Sequence, residues 1–367
     1  MSSQKNLKLT NRQYFFLIIQ TQIGVGILAL PFDLHTAAKQ DGWISLVLSG
    51  VLIIILMVFY WLLAKKYPDK DYFLLQQYVL SKWVGKAVTL FYIVYFAGVG
   101  VLILLLYGRM ISIWVLPNTP FWILSMMMVA VCMYIVCCDL VVMARLYTMF
   151  SAFLIFLVGL ILYSVKDSRL FYLLPVASDG WGGILAGIDK GIISFLGFIV
   201  ALVIYAKVEG EPKQKLKTII FAQITVLLFY LSIVLVTFTF FSTKEIALVS
   251  EPVLYMLKSY QFPIVARIDL FFISIWMVFV ATSFSTYLYL AGLGITRVFN
   301  KKHSPVIVLI VGLSFYFLSL FIGFNLVKLD QFSSYIVKGG YIFSMGIPLL
   351  VLFISLFRNR PKKESAT

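Results

Sequence analysis

Residues 21–31 read TQIGVGILALP, and this stretch decides how the chain is organised. It lies inside an apolar run, yet Gly24 and Gly26 stand two apart in its middle and Pro31 closes it. Glycine weakens a helix and bares its backbone groups. In hydrocarbon, bared N–H and C=O groups are tolerated only where they line a cavity or pack on protein. An interrupted helix also offers amides at the positive end of its dipole, a setting suited to a carboxylate. Small residues serve close helix packing equally well, so spacing alone leaves both readings open. The GxG is not a dinucleotide fingerprint, because no strand precedes it.

The rest of the chain places that run in a membrane. Of 367 residues, 62% are hydrophobic and 12% charged, with a mean hydropathy of +1.00. A soluble domain is nearer half apolar and a quarter charged, and no single core hides such an excess. The expected fold is therefore all-α and integral to the membrane. At about 20 apolar residues per pass, ten segments are expected: 13–38, 43–64, 84–115, 121–138, 143–165, 183–206, 218–241, 264–296, 305–326 and 336–357. The first, third and eighth are long enough to tilt or break.

The net charge is +15, from 30 Lys and Arg against 15 Asp and Glu. These cations sit in short loops between apolar runs, so they read as topology signals and lipid contacts, not as a nucleic-acid surface. With the N-terminus inside, the inner segments hold Lys5, Lys8, Arg12, the 65–86 group, Arg145, the 207–217 group, the 297–302 group and the 358–363 group. That is a two-to-one excess over the outside. It predicts N- and C-termini in the cytoplasm and an even number of spans. The basic N-terminus before an apolar run mimics a signal peptide, but with no small-residue cleavage site and many later spans a retained first helix is expected. Residues 358–367 read as a short, basic, disordered cytoplasmic tail.

Residues 194–198, SFLGF, put Gly197 near the middle of the sixth segment. Ten spans divide as five plus five, a first repeat over about 12–165 and a second over about 183–357, so segments one and six correspond. Transporters built as inverted repeats place broken helices at matching positions in their halves. Mid-span glycine in both favours a binding site at two breaks. The eighth segment adds Thr282, Ser283, Ser285, Thr286 and Tyr287. Hydroxyls there either coordinate an ion or ligand across helices or bond back to their own helix. The third contributes Tyr92, Tyr95, Gly98 and Gly100, with Tyr95 either closing a pocket or packing.

Several signals are missing. No ionisable residue is expected at a span centre, which argues against a proton pump. No nucleophile stands with a base, so an enzyme is not expected. Cys132, Cys137 and Cys138 have no metal-ligand partners at the required spacing and read as apolar filler, with palmitoylation the alternative; neither a metal nor a cofactor is expected. Residues 71–81 form an amphipathic stretch that predicts a short interfacial helix. Residues 244–260, punctuated by Pro252 and Pro263, are helix-forming and predict either a lid or a connector.

Five stretches together carry a resemblance: TQIGVGILALP, DGWISLVLSG at 41–50, YFAGVG at 95–100, ISFLGF at 193–198 and RIDLFFISIW at 267–276. In this order they resemble the B subunits of GerA-type spore germinant receptors, members of the amino acid–polyamine–organocation transporter superfamily. The resemblance implies a LeuT-like fold of ten helices with helices one and six broken, in the inner membrane of the spore. It implies A and C receptor subunits as partners and a small germinant, often an amino acid, as ligand. Carried over residue by residue, the ligand site falls on Gly24, Val25 and Gly26, on Tyr95 and Val99, on Phe195, Leu196 and Gly197, and on Thr282 and Ser283. Many relatives have an acidic residue two after the glycine of the sixth span, where this chain has Ile199, and a proline near that span's end, where it has Tyr205 and Ala206. The lysine of proton-coupled members has no counterpart in 143–165.

Three functions are compatible with these residues: a receptor subunit, an amino acid permease, or a channel-forming component. The cationic stretch 207–217 is either a contact for a partner's cytoplasmic domain or a plain positive-inside loop.

Overall fold

The computed structural model describes residues 8–177, 180–260, 267–323 and 326–358. Lys5, Pro263, the expected start of the eighth span at 264 and the tail beyond Arg358 lie outside them. Among the described residues there is no strand, only an isolated bridge between Leu9 and Val208.

Thr10 opens α1 (Asn11–Gln22) with a reciprocal cap. Its side chain accepts from the Gln13 N–H at 3.2 Å, and the Gln13 side chain accepts from the Thr10 N–H at 2.9 Å. The helix ends at Gln22. Gly24 leaves helical backbone (φ −157, ψ −136), a single 3-10 turn follows at Val25–Ile27, and α2 (Leu30–Ala38) restarts. Pro31 falls in the first turn of α2, where a missing N–H costs nothing. The first pass is thus two half-helices. A turn at Lys39–Asp41 leads into α3 (Gly42–Lys66).

The connection from α3 carries α4 (Tyr72–Val79), capped by Asp71. Its Tyr72, Phe73, Leu75 and Val79 are buried, and it packs against α5 (Lys82–Trp114). The expected interfacial helix therefore exists but is clamped to the bundle. Next come α6 (Phe121–Cys137), then α7 (Leu140–Phe150) and α8 (Phe153–Tyr163), one pass bent at Ser151. The sixth pass is broken as well. Helix α9 (Trp181–Ser194) stops, residues 195–199 form turns, and α10 (Val200–Ile204) resumes. Helix α11 (Pro212–Phe240) follows.

The 244–260 stretch carries two short helices, α12 (Thr243–Ile246), which begins one residue before it, and α13 (Pro252–Lys258). The second buries Val253, Leu254, Met256 and Leu257 and packs against α2, α11 and α14 (Ile268–Val298). The chain ends with α15 (Pro305–Ile322), α16 (Leu326–Gly340), a π-helical turn at Tyr341–Gly346 and α17 (Ile347–Phe357).

Seven helical stretches are long and apolar enough to cross a membrane on length and composition alone. Phe121–Cys137 is apolar but shorter, and the two interrupted passes fall short because each half is brief. With these included, the architecture is the expected ten-helix one. The tenth pass starts at Leu326, about three turns earlier than expected. Its first half, LVKLDQFSSYIVKGG, is amphipathic and does not show in a hydropathy window.

The two longest helices, α5 and α14, share the largest interface. Helix α1 sits among α7, α10, α11 and α14. It runs parallel to α11, because Thr218 Oγ1 donates to Asn11 Oδ1 at 3.4 Å near the start of both and Tyr230 Oη donates to Gln22 O at 2.8 Å further along. A second close pair is α3 with α9. Ser45 Oγ donates to Ile184 O at 2.8 Å, and Ser49 Oγ lies 2.9 Å from Ile188 O. Apolar side chains such as Ile155, Phe317 and Phe353 face outward, as lipid permits.

Candidate functional site

The two breaks meet. Gly197 has φ +121, and a Cβ there would lie 2.8 Å from Thr21 O. Only glycine fits a left-handed backbone pressed against another chain segment. Thr21 is the next-to-last residue of α1, so the end of α1 and the turn of the sixth pass share one contact.

Unwinding leaves the final carbonyls of α1 without helical partners, and side chains from other helices take them up. Ser283 Oγ donates to Thr21 O at 2.9 Å, Tyr230 Oη to Gln22 O, and Trp276 Nε1 to Gly24 O at 3.1 Å. Beside them Thr282 Oγ1 donates to Gln20 Oε1 at 2.6 Å, Gln20 Nε2 to Ser151 Oγ at 3.0 Å, and Tyr147 Oη to Thr282 O at 2.6 Å. Gly24 abuts this seam, since its Cβ would stand 3.3 Å from Ser283 Oγ. On the other side of the break, the amides of Gly24, Val25 and Gly26 precede the first hydrogen bond of the 3-10 turn, Ile27 N–H to Gly24 O at 3.5 Å. They have no partner within it. The Gln22 side chain is 3% exposed, and neither its Nε2 nor its Oε1 has a partner.

A second corner lies beside the first. Tyr95 stacks on Phe343 with centroids 4.8 Å apart, and Tyr95 Oη and Leu196 Cδ2 both approach Gly340, 3.3 and 2.9 Å from where its Cβ would be. Val99 is one turn along α5, which packs against the Val25–Ile27 turn. The π turn behind this corner frees carbonyls from their usual partners. Tyr92 Oη donates to Phe343 O at 2.6 Å, and Tyr60 Oη donates to Ser344 O.

The expected residues thus separate. Gly24, Gly197, Thr282 and Ser283 share the polar seam, and Tyr95 and Leu196 share the aromatic corner. Val25 and Gly26 are half-buried on the turn between, with Gly26 near the Ser194 backbone at 3.8 Å. Phe195 turns away onto Tyr230, centroids 5.3 Å apart, and is fully buried in packing. Gln20, Gln22, Tyr147, Tyr230 and Trp276 were missed. A mid-span glutamine pair was the available signal, because an amide in hydrocarbon needs a partner.

One expectation is corrected: ionisable groups do reach the middle of spans. Asp33 is one turn into α2, Asp189 and Lys190 are one to two turns before the break in α9, and Lys338 lies three residues before the π turn. Asp33 lies within electrostatic reach of Lys190, and Tyr341 Oη donates to Asp189 Oδ1 at 3.0 Å. All belong to half-helices on the side of the breaks away from the N-terminus. Asp33 is half-buried and Asp189, Lys190 and Lys338 are exposed; each is flanked by apolar residues, so hydropathy averaged along the chain hides them. Among the described residues no group of His, Cys, Asp and Glu is arranged to hold a metal ion.

Two discontinuous helices crossing at mid-membrane define the LeuT-like class, and solved structures agree. MhsT in complex with L-phenylalanine superposes with a TM-score of 0.64 at 14% identity, covering 94% of this chain and 88% of that one. The Eremococcus coleocola manganese transporter, bound to an aromatic bis-isothiourea compound, gives 0.60 at 12% identity, covering 93% and 78%. The chain belongs to the spore germination protein family, whose model matches residues 8–325. Spore germination protein YndE of Bacillus subtilis strain 168 is 27% identical over 97% of this chain and 98% of its own length. GerQB of Bacillus cereus is 26% identical over 90% of each. The family is one of germinant-receptor membrane subunits and not of enzymes.

Proposed function

We propose that this chain is the membrane subunit of a spore nutrient receptor that binds a small germinant, an amino acid in the first instance, between the two breaks. Binding favours one arrangement of the half-helices, and that change passes to the A and C subunits. The observation that carries this reading is the meeting of the breaks at Gly197 and Thr21, with the unpaired Gln22 amide buried beside them. The amides of Gly24, Val25 and Gly26 suit a carboxylate, and Gln22 suits a polar group of the ligand. Ile199, buried where relatives carry an acid, offers no charge for an ammonium group. That role falls to carbonyls of the break or to Asp33. Entry runs from the side of Asp33, Asp189 and Lys338, the outer side if both termini are cytoplasmic. The membrane is then the spore inner membrane. A ligand shifts such an equilibrium only by binding one state better than the other.

The test is germination of spores whose only intact receptor contains this subunit, comparing wild type with Gly24→Leu and Thr282→Leu across a nutrient panel. At equal subunit levels, both variants should need at least tenfold more nutrient, a loss of about 1.4 kcal/mol. Normal responses from both would make these residues packing only. The second reading, an amino acid permease, is favoured by the likeness to an L-phenylalanine-bound protein. Uptake of labelled amino acid by the subunit expressed alone would establish it.

A further inference from the structure

An open cleft of about 450 Å³ lies between α1 and α11 at their N-terminal ends, lined by Arg12, Phe15, Phe16, Lys217 and Phe221, with Asn11 and Thr218 at its floor. The two helices contribute the same pattern. Arg12 precedes Phe16 by four residues, and Lys217 precedes Phe221 by four, which puts each pair on one helix face about 6 Å apart along the axis. Because the helices run parallel, both cations sit at one level and the phenyl rings one turn deeper. Arg12, Lys217 and Phe221 are exposed, and Phe15 and Phe16 half-exposed. Among the described residues neither cation is held in an ion pair.

A pair of cations at the end of two spans, with aromatic walls descending toward the hydrocarbon, fits an amphiphile oriented as a membrane lipid is. We infer that this cleft holds an anionic glycerophospholipid, its phosphate between Arg12 and Lys217 and its acyl chains over Phe15, Phe16 and Phe221. The positive ends of α1 and α11 add to the attraction for the phosphate. A protein partner is disfavoured because the rings lie at the depth of the acyl chains. A bound lipid bridges the first half of the broken pass to α11.

The experiment follows the melting temperature of the purified full chain in neutral detergent as phosphatidylglycerol, phosphatidylcholine or inorganic phosphate is titrated. Phosphatidylglycerol should stabilise it saturably, and the other two should not. Arg12→Gln with Lys217→Gln should raise the half-saturating concentration more than tenfold, about fivefold for each charge removed. Arg12→Lys with Lys217→Arg should keep the response. Lys82→Gln with Lys86→Gln, a charge-matched pair on α5, should also keep it. Any of four results overturns the inference. These are equal stabilisation by phosphatidylcholine, equal stabilisation by phosphate, an unchanged titration in the first variant, or an equal loss in the α5 pair. A fifth is an acidic peptide that stabilises through Arg12 and Lys217 while phosphatidylglycerol does not, which would assign the cleft to a protein.

Discussion

Gly24, Gly26 and Gly197 look alike in the sequence, but their surroundings divide them. Gly197 combines φ +121 with a carbonyl oxygen 2.8 Å from the place of a Cβ, whereas Gly26 has its nearest neighbour at 3.8 Å. Gly197→Ala should therefore destabilise the protein by about 2 kcal/mol, from backbone strain and the clash with Thr21. Gly26→Ala should stay within about 0.5 kcal/mol of wild type. Unfolding of the two variants in detergent measures the difference, and equal stability would remove the claim that the breaks are wedged together at Gly197. The glycines themselves were legible, because they interrupt apolar runs. Which of them is structurally obligatory was not, since Thr21 and Gly197 are far apart in the chain. Thr282 and Ser283 were legible as a hydroxyl pair, but their acceptors on α1 were not.

Among the elements, the π turn at Tyr341–Gly346 owes its shape to partners elsewhere in the chain, which is why no local pattern announced it. Tyr92 and Tyr60 supply the donors that its displaced carbonyls lack. Tyr92→Phe leaves Phe343 O without that donor and should cost about 1 kcal/mol. It should also speed amide exchange across 341–346 while leaving α17 unchanged. Exchange no faster than in wild type would mean that the turn holds without the hydroxyl. Helix α16 escaped the sequence reading for a related reason. Its Leu329 and Ile336 are buried while Lys328, Asp330, Gln331, Ser334 and Lys338 are exposed, and a window that averages over all faces scores it as loop. Helices with one uniform environment, such as α3 and α15, were placed to within a few residues.

For the whole molecule, polar contacts close the bundle on both faces. On the face of the N-terminus, Arg297 pairs with Asp71 at 2.6 Å and Arg358 Nη1 donates to Val79 O at 2.7 Å, tying α4 to α14 and to the end of α17. On the opposite face, Glu251 at the start of α13 lies 3.8 Å from Arg109 on α5. Burial lifts the Glu251 carboxyl above the usual glutamate range, and Arg109 only partly offsets this. The docked state therefore binds the proton more tightly than an undocked one. Docking should be firmest below the ordinary glutamate range and weaken as pH rises through the raised value. Amide exchange in α13, corrected for intrinsic rate, should be faster at pH 7 than at pH 5, and Glu251→Gln should flatten the difference. An equal pH effect in the variant would assign it to another group. The ten passes were readable from composition and segment length, and the breaks from mid-span glycines together with the family resemblance, but these cross-face pairs were not, because each joins loops or helix ends distant in sequence.

The serine contacts between α3 and α9 have a mechanical consequence. A Cβ at Gly187 or Gly191 would fall 2.4 or 2.2 Å from a serine Oγ, so the two helices mesh like a key in its slot and neither slides without the other. Because α2 turns directly into α3, displacement of the second half of the first pass must drag α9 with it. The two broken passes are then geared together on one side, and the ligand proposed to bind between them would need to move only one to turn both.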